Sequence, residues 1–178
     1  MDGGTMYQKA HRYLIEFFIT VVIALILTML IRTFIAEARE IPTGSMLPTI
    51  QVGDIIMVEK VSVHFAAPSR GDIVVFAPPP SAHAREDYIK RVVALPGDLV
   101  EIRNNKLFVD KRPVNESYLL DKKMKDLKPT VVPKGHLFVL GDNRNNSFDS
   151  RNWGFLPIKN LKGTAWFRFW PFERAGSI

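Results

Sequence analysis

Hydrophobic residues are concentrated in one continuous run near the N-terminus. Residues 13–35 form a 23-residue apolar segment, and no charged residue occurs from Phe17 to Ile31. A helix needs about 20 mostly apolar residues to cross a bilayer, and the charged ends of Glu16 and Arg32 can snorkel to the membrane surfaces. The pattern predicts a transmembrane helix over 13–35. A buried core helix is the alternative, but a helix that is apolar on all sides would need a larger helical protein around it, and none follows.

The residues that flank this segment bear on its orientation in the membrane and on whether it is cleaved from the chain. Lys9, His11 and Arg12 precede it, and the rule that cytoplasmic flanks are positive favours a cytoplasmic N-terminus by a small margin. Ala36–Ala38 reads A-x-A, the form of a signal-peptide cleavage site. The apolar run exceeds the 7 to 15 residues of a signal-peptide core. Residues 31–40, IRTFIAEARE, contain no Pro or Gly, so we expect the helix to continue through Ala38 and the span to stay attached.

After residue 40 the pattern changes to short β-rich runs separated by Gly, Pro and Asn. Three runs begin with Gly-Asp, at residues 53, 71 and 97, and continue with β-branched residues. Gly-Asp favours a turn, and the residues after it favour a strand. Further strands are predicted at 88–95, 106–109, 136–140 and 164–170. The fold class is therefore mainly β, an antiparallel domain preceded by one N-terminal transmembrane α-helix.

This pattern divides the chain into three parts. Residues 1–12 form a short cytoplasmic N-terminus, 13–35 the membrane span, and 36–178 an extracytoplasmic β domain. Residues 77–87, with three prolines in succession, are expected to be an exposed loop because proline cannot donate to a strand ladder. A hairpin arm and a polar excursion follow at 103–120, and a small cap on the β domain is expected at about 103–131.

Composition and charge narrow the function classes. The chain has 178 residues, 47% of them hydrophobic, which is enough for one domain with a core plus an appendage. Its lack of cysteine excludes disulfides, thiolate metal sites and a cysteine nucleophile. The formal charge of +6 suits an anionic membrane surface. No motif of a nucleic-acid-binding domain accompanies it, so we expect no nucleic-acid partner.

Common catalytic signatures are missing from the sequence. There is no G-x-S-x-G, no serine followed three residues later by lysine, and no HExxH. The four histidines, at 11, 64, 83 and 136, have no spacing that links them to an acid or a metal partner. We therefore expect neither a metal nor an organic cofactor.

Three segments nevertheless carry candidate chemistry. Ser45 stands in IPTGSMLPTI, which is either a simple turn or a rigid corner that presents a nucleophile. Lys90 lies within the apolar strand YIKRVVAL, facing the same side as Tyr88 and opposite Arg91; it either snorkels at a sheet edge or is desolvated into a general base.

The third segment is GDNRNNSFDSR, residues 141–151. Its Gly, Asp and Asn content is typical of a tight turn. If it is instead extended, the alternating Ser147, Asp149 and Arg151 point to one side. There a hydroxyl could orient an amine, with an ion pair beneath it.

Taken together, these segments resemble the bacterial type I signal peptidases (leader peptidases), which are membrane-bound Ser-Lys proteases. The resemblance extends from the membrane span to the C-terminus and rests on five motifs that occur in this order: IPTGSMLPTI, GDIIMVEK, RGDIVVF, YIKRVVALPGD and GDNRNNSFDSRNWGFLP. It implies the signal-peptidase type of β fold and no cofactor. The short insertion between Lys90 and Gly141 implies that the accessory domain of some relatives is reduced here to a small cap.

The resemblance also implies a role for each matching residue. Ser45 matches the nucleophile and Lys90 the general base, and the Thr43 hydroxyl matches a partner of the Ser45 backbone N–H in the oxyanion hole. Ser147 matches the serine that orients the lysine, and Asp149 and Arg151 match the ion pair that supports it. Four further positions match the lining of the substrate pockets: Ile41, Ile50, Tyr88 and Ile89.

The function that the resemblance implies is removal of signal peptides from exported preproteins by a serine endopeptidase. Its partners would be signal peptides and the lipid bilayer. Its location would be the plasma membrane, with a single pass and an extracytoplasmic catalytic domain. Two alternatives remain open: a self-cleaving Ser-Lys regulator and an inert membrane-anchored binding module.

Overall fold

The first described element is one long helix. The structure, a computed structural model, describes residues 3–121 and 123–178. Helix α1 spans Gly3–Leu30 and passes into a π-helical turn at Ile31–Ile35. Residues His11–Ile35 are long and apolar enough to cross a membrane, and every side chain among them is exposed. The protein itself leaves the apolar surface of this helix uncovered.

The helix ends earlier than the sequence predicted. Ala36–Glu40 forms strand β1, so the expectation that the helix continues through Ala38 is wrong. β1 pairs with β2, Ile55–Glu59, in antiparallel register, with Ala38 opposite Met57. The pairing supplies partners for the backbone groups of β1. Nothing in the local sequence AEARE opposes a helix, so the distant partner strand determines the conformation.

Short strands are the main regular structure of the remaining chain. In the described ranges they are β3 (Ile73–Phe76), β4 (Tyr88–Ala94), β5 (Leu99–Arg103), β6 (Lys106–Val109), β7 (Arg112–Pro113), β8 (Leu127–Val131), β9 (His136–Leu140), β10 (Leu156–Pro157), β11 (Leu161–Trp170) and β12 (Gly176–Ser177). Two short α-helices, α2 (Ser62–Phe65) and α3 (Ser150–Trp153), lie between strands. Single 3₁₀ turns occur at Gly44–Met46, Pro80–Ala82, Ile158–Asn160 and Phe172–Arg174.

The strands form two antiparallel sheets. The larger has the order β1-β2-β11-β3-β4-β9-β10, with β12 added beside β11, and the smaller has the order β7-β6-β5-β8. The predicted mainly β, antiparallel architecture with one N-terminal helix is therefore observed. The Gly-Asp pairs turn the chain as predicted; Gly71, for example, has φ of +98°, a conformation that glycine adopts without strain.

Strand β4 lies inside the larger sheet, with Lys90 paired to Val74 of β3 and Arg91 paired to Leu140 of β9. Its position in the interior of the sheet explains why both cationic residues are removed from solvent, at 4% and 9% exposure.

An apolar cluster lies directly behind the 3₁₀ turn that contains Ser45. Met46 and Ile50 are completely buried in it and pack with Ile41, Ile89 and neighbouring strand residues. Burial of the residues on both sides of Ser45 fixes the backbone of the turn relative to β4.

Candidate active site

Ser45 is held by hydrogen bonds on both sides of its peptide group. The backbone N–H of Asn143 donates to the Ser45 carbonyl at 3.0 Å, and the Asn143 side-chain amide donates to the Gly44 carbonyl at 3.0 Å. Ser45 itself is 9% exposed. The turn is therefore rigid, and its hydroxyl has a defined position, as a nucleophile requires.

The Lys90 amine lies next to the Ser45 hydroxyl. Lys90 Nζ is 2.8 Å from Ser45 Oγ and donates to the carbonyl of Ile89 at 2.9 Å. Burial lowers the pKa of Lys90 from its ordinary value of 10.5 to about 8, although the carboxylates of Asp149 and Asp142 act in the opposite direction. Desolvation dominates because a charged amine loses its hydration in the interior. An appreciable fraction of the amine is therefore neutral near pH 8, and a neutral amine can accept a proton.

The neighbouring Arg91 points to the other face of β4 and forms a buried ion pair. Its guanidinium donates twice to Asp142, at 2.9 and 2.6 Å, and once to the carbonyl of Gly71 at 2.7 Å. Thr49 donates to the same Asp142 carboxylate at 2.6 Å. Asp142 therefore compensates the charge of Arg91 beside the lysine.

The segment 147–151 is not extended throughout, because Ser150 and Arg151 lie in helix α3. The condition under which Ser147, Asp149 and Arg151 would share one strand face is therefore not met. Asp149 caps the N-terminus of α3, accepting from the Arg151 N–H at 3.2 Å, and Arg151 belongs to the helix. The two side chains still form an ion pair, with Arg151 Nε and Nη2 at 2.8 and 2.7 Å from the carboxylate. Asp149 also accepts from the Gly141 N–H at 3.0 Å and is fully buried. The cap, rather than strand alternation, brings the pair together.

Ser147 lies beside the site without a hydrogen bond to Lys90. Among the residues that the structure describes, its hydroxyl oxygen is shielded from solvent and has no hydrogen-bond partner. A Cβ on Gly141 would overlap this hydroxyl and the Ser45 carbonyl oxygen. The absence of a side chain at Gly141 therefore allows Ser147 and Ser45 to approach each other.

A groove leads to Ser45 between the stretch around residues 41–45 and the stretch at residues 86–90. A cleft of about 240 Å³ contains Thr43, Ser45 and Lys90, and an adjoining cleft of about 190 Å³ lies along Ile41. Both clefts share five lining residues: Pro42, Glu86, Asp87, Tyr88 and Ile89.

The lining of the groove differs from the prediction in two ways: one expected residue is absent from it, and three residues that were not predicted belong to it. Ile50 is fully buried in the apolar cluster and lines neither cleft. Sequence reasoning missed Phe148, Glu86 and Asp87, which line the cleft at Ser45. Phe148 is half exposed within the 141–151 segment, and an exposed aromatic residue in a polar turn was the available signal.

The site brings together a hydroxyl, a partly neutral amine and an open groove. Within residues 3–121 and 123–178 there is no group of three or more His, Asp or Glu side chains that could hold a metal ion. The groups present can transfer a proton from Ser45 to Lys90 and attack a carbonyl carbon bound in the groove.

Comparison with known proteins identifies the class. The model of the family described as signal peptidase, peptidase S26, matches residues 14–170. The chain is 48% identical over 161 residues to the probable signal peptidase I-1 of Synechocystis sp., covering 88% of this chain and 82% of that one. It is 43% identical over 175 residues to the signal peptidase I of Leptolyngbya laminosa, covering 96% and 86%.

A solved structure agrees with these relatives. The crystal structure of a signal peptidase I from Enterococcus faecalis V583 matches with a TM-score of 0.50 and 32% identity, covering 56% of this chain and 97% of that one. The fold and the matches define a serine peptidase. The chain belongs to the S26 family of signal peptidases, and the predicted enzyme class, signal peptidase I, is confirmed.

The buried lysine predicts an unusual dependence of stability on pH. Because the unfolded chain holds the Lys90 proton more tightly than the folded chain, stability gains from this group as pH rises from about 8 towards 10.5. Replacing Lys90 by Met should therefore stabilise the protein at pH 7, by on the order of 3 kcal/mol.

Thermal unfolding in detergent from pH 7 to 10 measures this effect, with the exposed Lys159→Met as control. The advantage of Lys90→Met over wild type should shrink as pH rises, and Lys159→Met should show none. A difference that is independent of pH would contradict the lowered pKa.

Proposed function

We propose that the protein is a membrane-bound serine endopeptidase that removes N-terminal signal peptides from exported preproteins, with Ser45 as nucleophile and Lys90 as general base. The observation that carries the proposal is the 2.8 Å contact between Lys90 Nζ and Ser45 Oγ in a buried setting that lowers the pKa of Lys90. A buried neutral lysine serves as a base without the histidine and acid of other serine proteases.

The proposed reaction has two halves. Lys90 takes the Ser45 proton as Oγ attacks the scissile carbonyl carbon, and the resulting ammonium then protonates the leaving amine. An acyl ester on Ser45 remains, and water activated by Lys90 hydrolyses it. The Thr43 hydroxyl, which lines the cleft, and the Ser45 N–H would bind the developing oxyanion.

Ser147, Asp149 and Arg151 are proposed to support the base. A neutral amine has two N–H bonds and one lone pair. When the lone pair faces the Ser45 O–H, one N–H can remain on the Ile89 carbonyl, and we assign the other to the Ser147 hydroxyl, which has no hydrogen-bond partner among the described residues. The Asp149–Arg151 ion pair would support Ser147 indirectly. Asp149 accepts from the N–H of Gly141, and Ser147 packs against Gly141.

The substrate would bind as an extended strand in the groove. Ile41, Tyr88 and Ile89 line it and would accept the short side chains of an A-x-A cleavage site. Ile50 would act from the core by supporting the turn around Ser45, since it lines neither cleft.

The N-terminal helix is proposed to anchor the enzyme as a single pass. The 25-residue stretch His11–Ile35 is long and apolar enough for a crossing, and the bilayer would cover the surface that the protein leaves exposed. Lys9, His11 and Arg12 favour the cytoplasm for the N-terminus, which places the β domain on the opposite side of the plasma membrane.

Cleavage of a peptide in trans tests the proposal. Purified protein in detergent should cleave a fluorogenic peptide with an Ala-x-Ala site, and Ser45→Ala and Lys90→Ala should each lose more than about a thousandfold in kcat. Ser69→Ala and Lys159→Ala change exposed residues of the same types and should leave kcat unchanged.

Three outcomes separate the alternatives. Cleavage in trans that is lost in Ser45→Ala supports the peptidase. Cleavage of the chain itself without cleavage of the peptide would point to a self-cleaving regulator. No cleavage of either would point to an inert binding module.

A second prediction concerns the Ala36–Ala38 tripeptide. Strand β1 is extended, so helical conformation does not protect it. Its protection comes from the ladder with β2 and from the ion pairs of Glu37 with Arg39 and Lys60. We expect mass spectrometry of protein extracted from membranes to show the chain uncleaved at this site. A dominant product beginning at Arg39 would contradict the anchor.

A further inference from the structure

A buried carboxylate outside the five sequence motifs contacts the active-site loop. Glu116 lies between β7 and β8 of the smaller sheet and is 5% exposed. It accepts from both terminal nitrogens of Arg144, at 3.0 and 2.5 Å, and from the hydroxyl of Tyr118 at 3.0 Å. The smaller sheet is thereby joined to the 141–151 segment through a bidentate ion pair.

Arg144 connects Glu116 to Gly141, which lies next to Ser45 and Ser147. It is 3% exposed, and its Nε donates to the carbonyl of Gly141 at 3.0 Å. Gly141 in turn donates to Asp149 and leaves room for the Ser45 carbonyl and the Ser147 hydroxyl. A displacement of Arg144 would therefore move the residue around which these groups are packed.

Tyr118 provides a second contact from the same three-residue stretch. The guanidinium carbon of Arg91 lies 4.2 Å from the centre of the Tyr118 ring, a distance typical of a cation–π contact. Arg91 follows Lys90 directly in β4 and is the partner of Asp142. Residues 116–118 therefore contact Arg144, which donates to the Gly141 carbonyl, and Arg91, which adjoins Lys90 in β4.

We propose that Glu116 is a positioning residue for catalysis: through Arg144 and Gly141 it fixes the distances among Ser45, Lys90 and Ser147. This inference rests on the proposed function. A purely stabilising role is a poor explanation, because a buried ion pair is often no more stabilising than apolar side chains of similar volume. What the pair adds is a fixed direction for the Arg144 bond to Gly141.

The first test compares Glu116→Gln with wild type on the Ala-x-Ala peptide. Glutamine keeps the shape of glutamate but loses the charge, so Arg144 should be held less firmly. We expect kcat to fall about ten- to a hundredfold with KM changed less than about twofold, because the groove itself is intact. The matched control is Glu101→Gln, which removes a carboxylate of β5 that lies 3.6 Å from the partly exposed Arg103 and should change neither constant.

A double variant separates positioning from stability. Glu116→Leu with Arg144→Met replaces the ion pair by apolar side chains, which should restore thermal stability above that of Glu116→Gln. Under the proposal kcat stays low, because nothing holds the Gly141 carbonyl. All rates are compared at a temperature at which circular dichroism shows every variant folded.

Several outcomes would overturn the inference. Wild-type kcat in Glu116→Gln, a change confined to KM, or recovery of kcat together with stability in the double variant would each reduce Glu116 to a structural residue. Failure of the proposed function has a different signature, since wild type would then not cleave the peptide or Ser45→Ala would still cleave it.

Discussion

The hydrogen bond between a buried amine and a hydroxyl is the constraint on which this structure depends. Lys90 lies in an interior strand of the larger sheet, where charge is costly, and its Nζ is 2.8 Å from Ser45 Oγ. The same burial that destabilises the ammonium makes the neutral amine available near pH 8. Under the proposed function, this loss of stability at neutral pH supplies the base of the reaction.

Four consecutive residues, 141–144, connect the surroundings of this hydrogen bond to the rest of the structure. Gly141 allows close approach of the Ser45 carbonyl, and Asp142 pairs with Arg91 beside the lysine. Asn143 holds the carbonyls of Gly44 and Ser45, and Arg144 reaches Glu116 of the smaller-sheet region. Since each residue serves a different neighbour, substitutions in this stretch should perturb catalysis in different ways.

Much of the fold follows from local patterns, and what does not follow depends on distant partners. The Gly-Asp turns and β-branched runs predicted β2, β3 and β5, and alternation placed Lys90 and Arg91 on opposite faces of β4. Strand β1 was missed because AEARE has no strand signal and its partner lies about twenty residues away. The extended reading of 147–151 failed because the Asp149 side chain could also cap a helix, and composition does not distinguish the two.

The candidate site shows the same division. The order of the motifs indicated Ser45, Lys90 and the 141–151 segment. The sequence could not show that Ile50 lies in the core, or that the Ser147 hydroxyl has no hydrogen-bond partner within residues 3–121 and 123–178. Glu116 stands in a polar stretch with no periodicity, so only tertiary structure reveals its contact with Arg144. The local sequence does not identify a residue whose role depends on a contact with a distant side chain.

The central claim is that Lys90 is substantially neutral at the pH at which the enzyme works. NMR titration of lysine side chains labelled with ¹⁵N and ¹³C in the detergent-solubilised protein measures this directly, with the Lys90 signal assigned by its absence in Lys90→Met. The account predicts that the Lys90 signal titrates with a pKa of about 8, well below the reference value of about 10.4 for a lysine in a model peptide. A Lys90 signal that titrates at the reference value would contradict it.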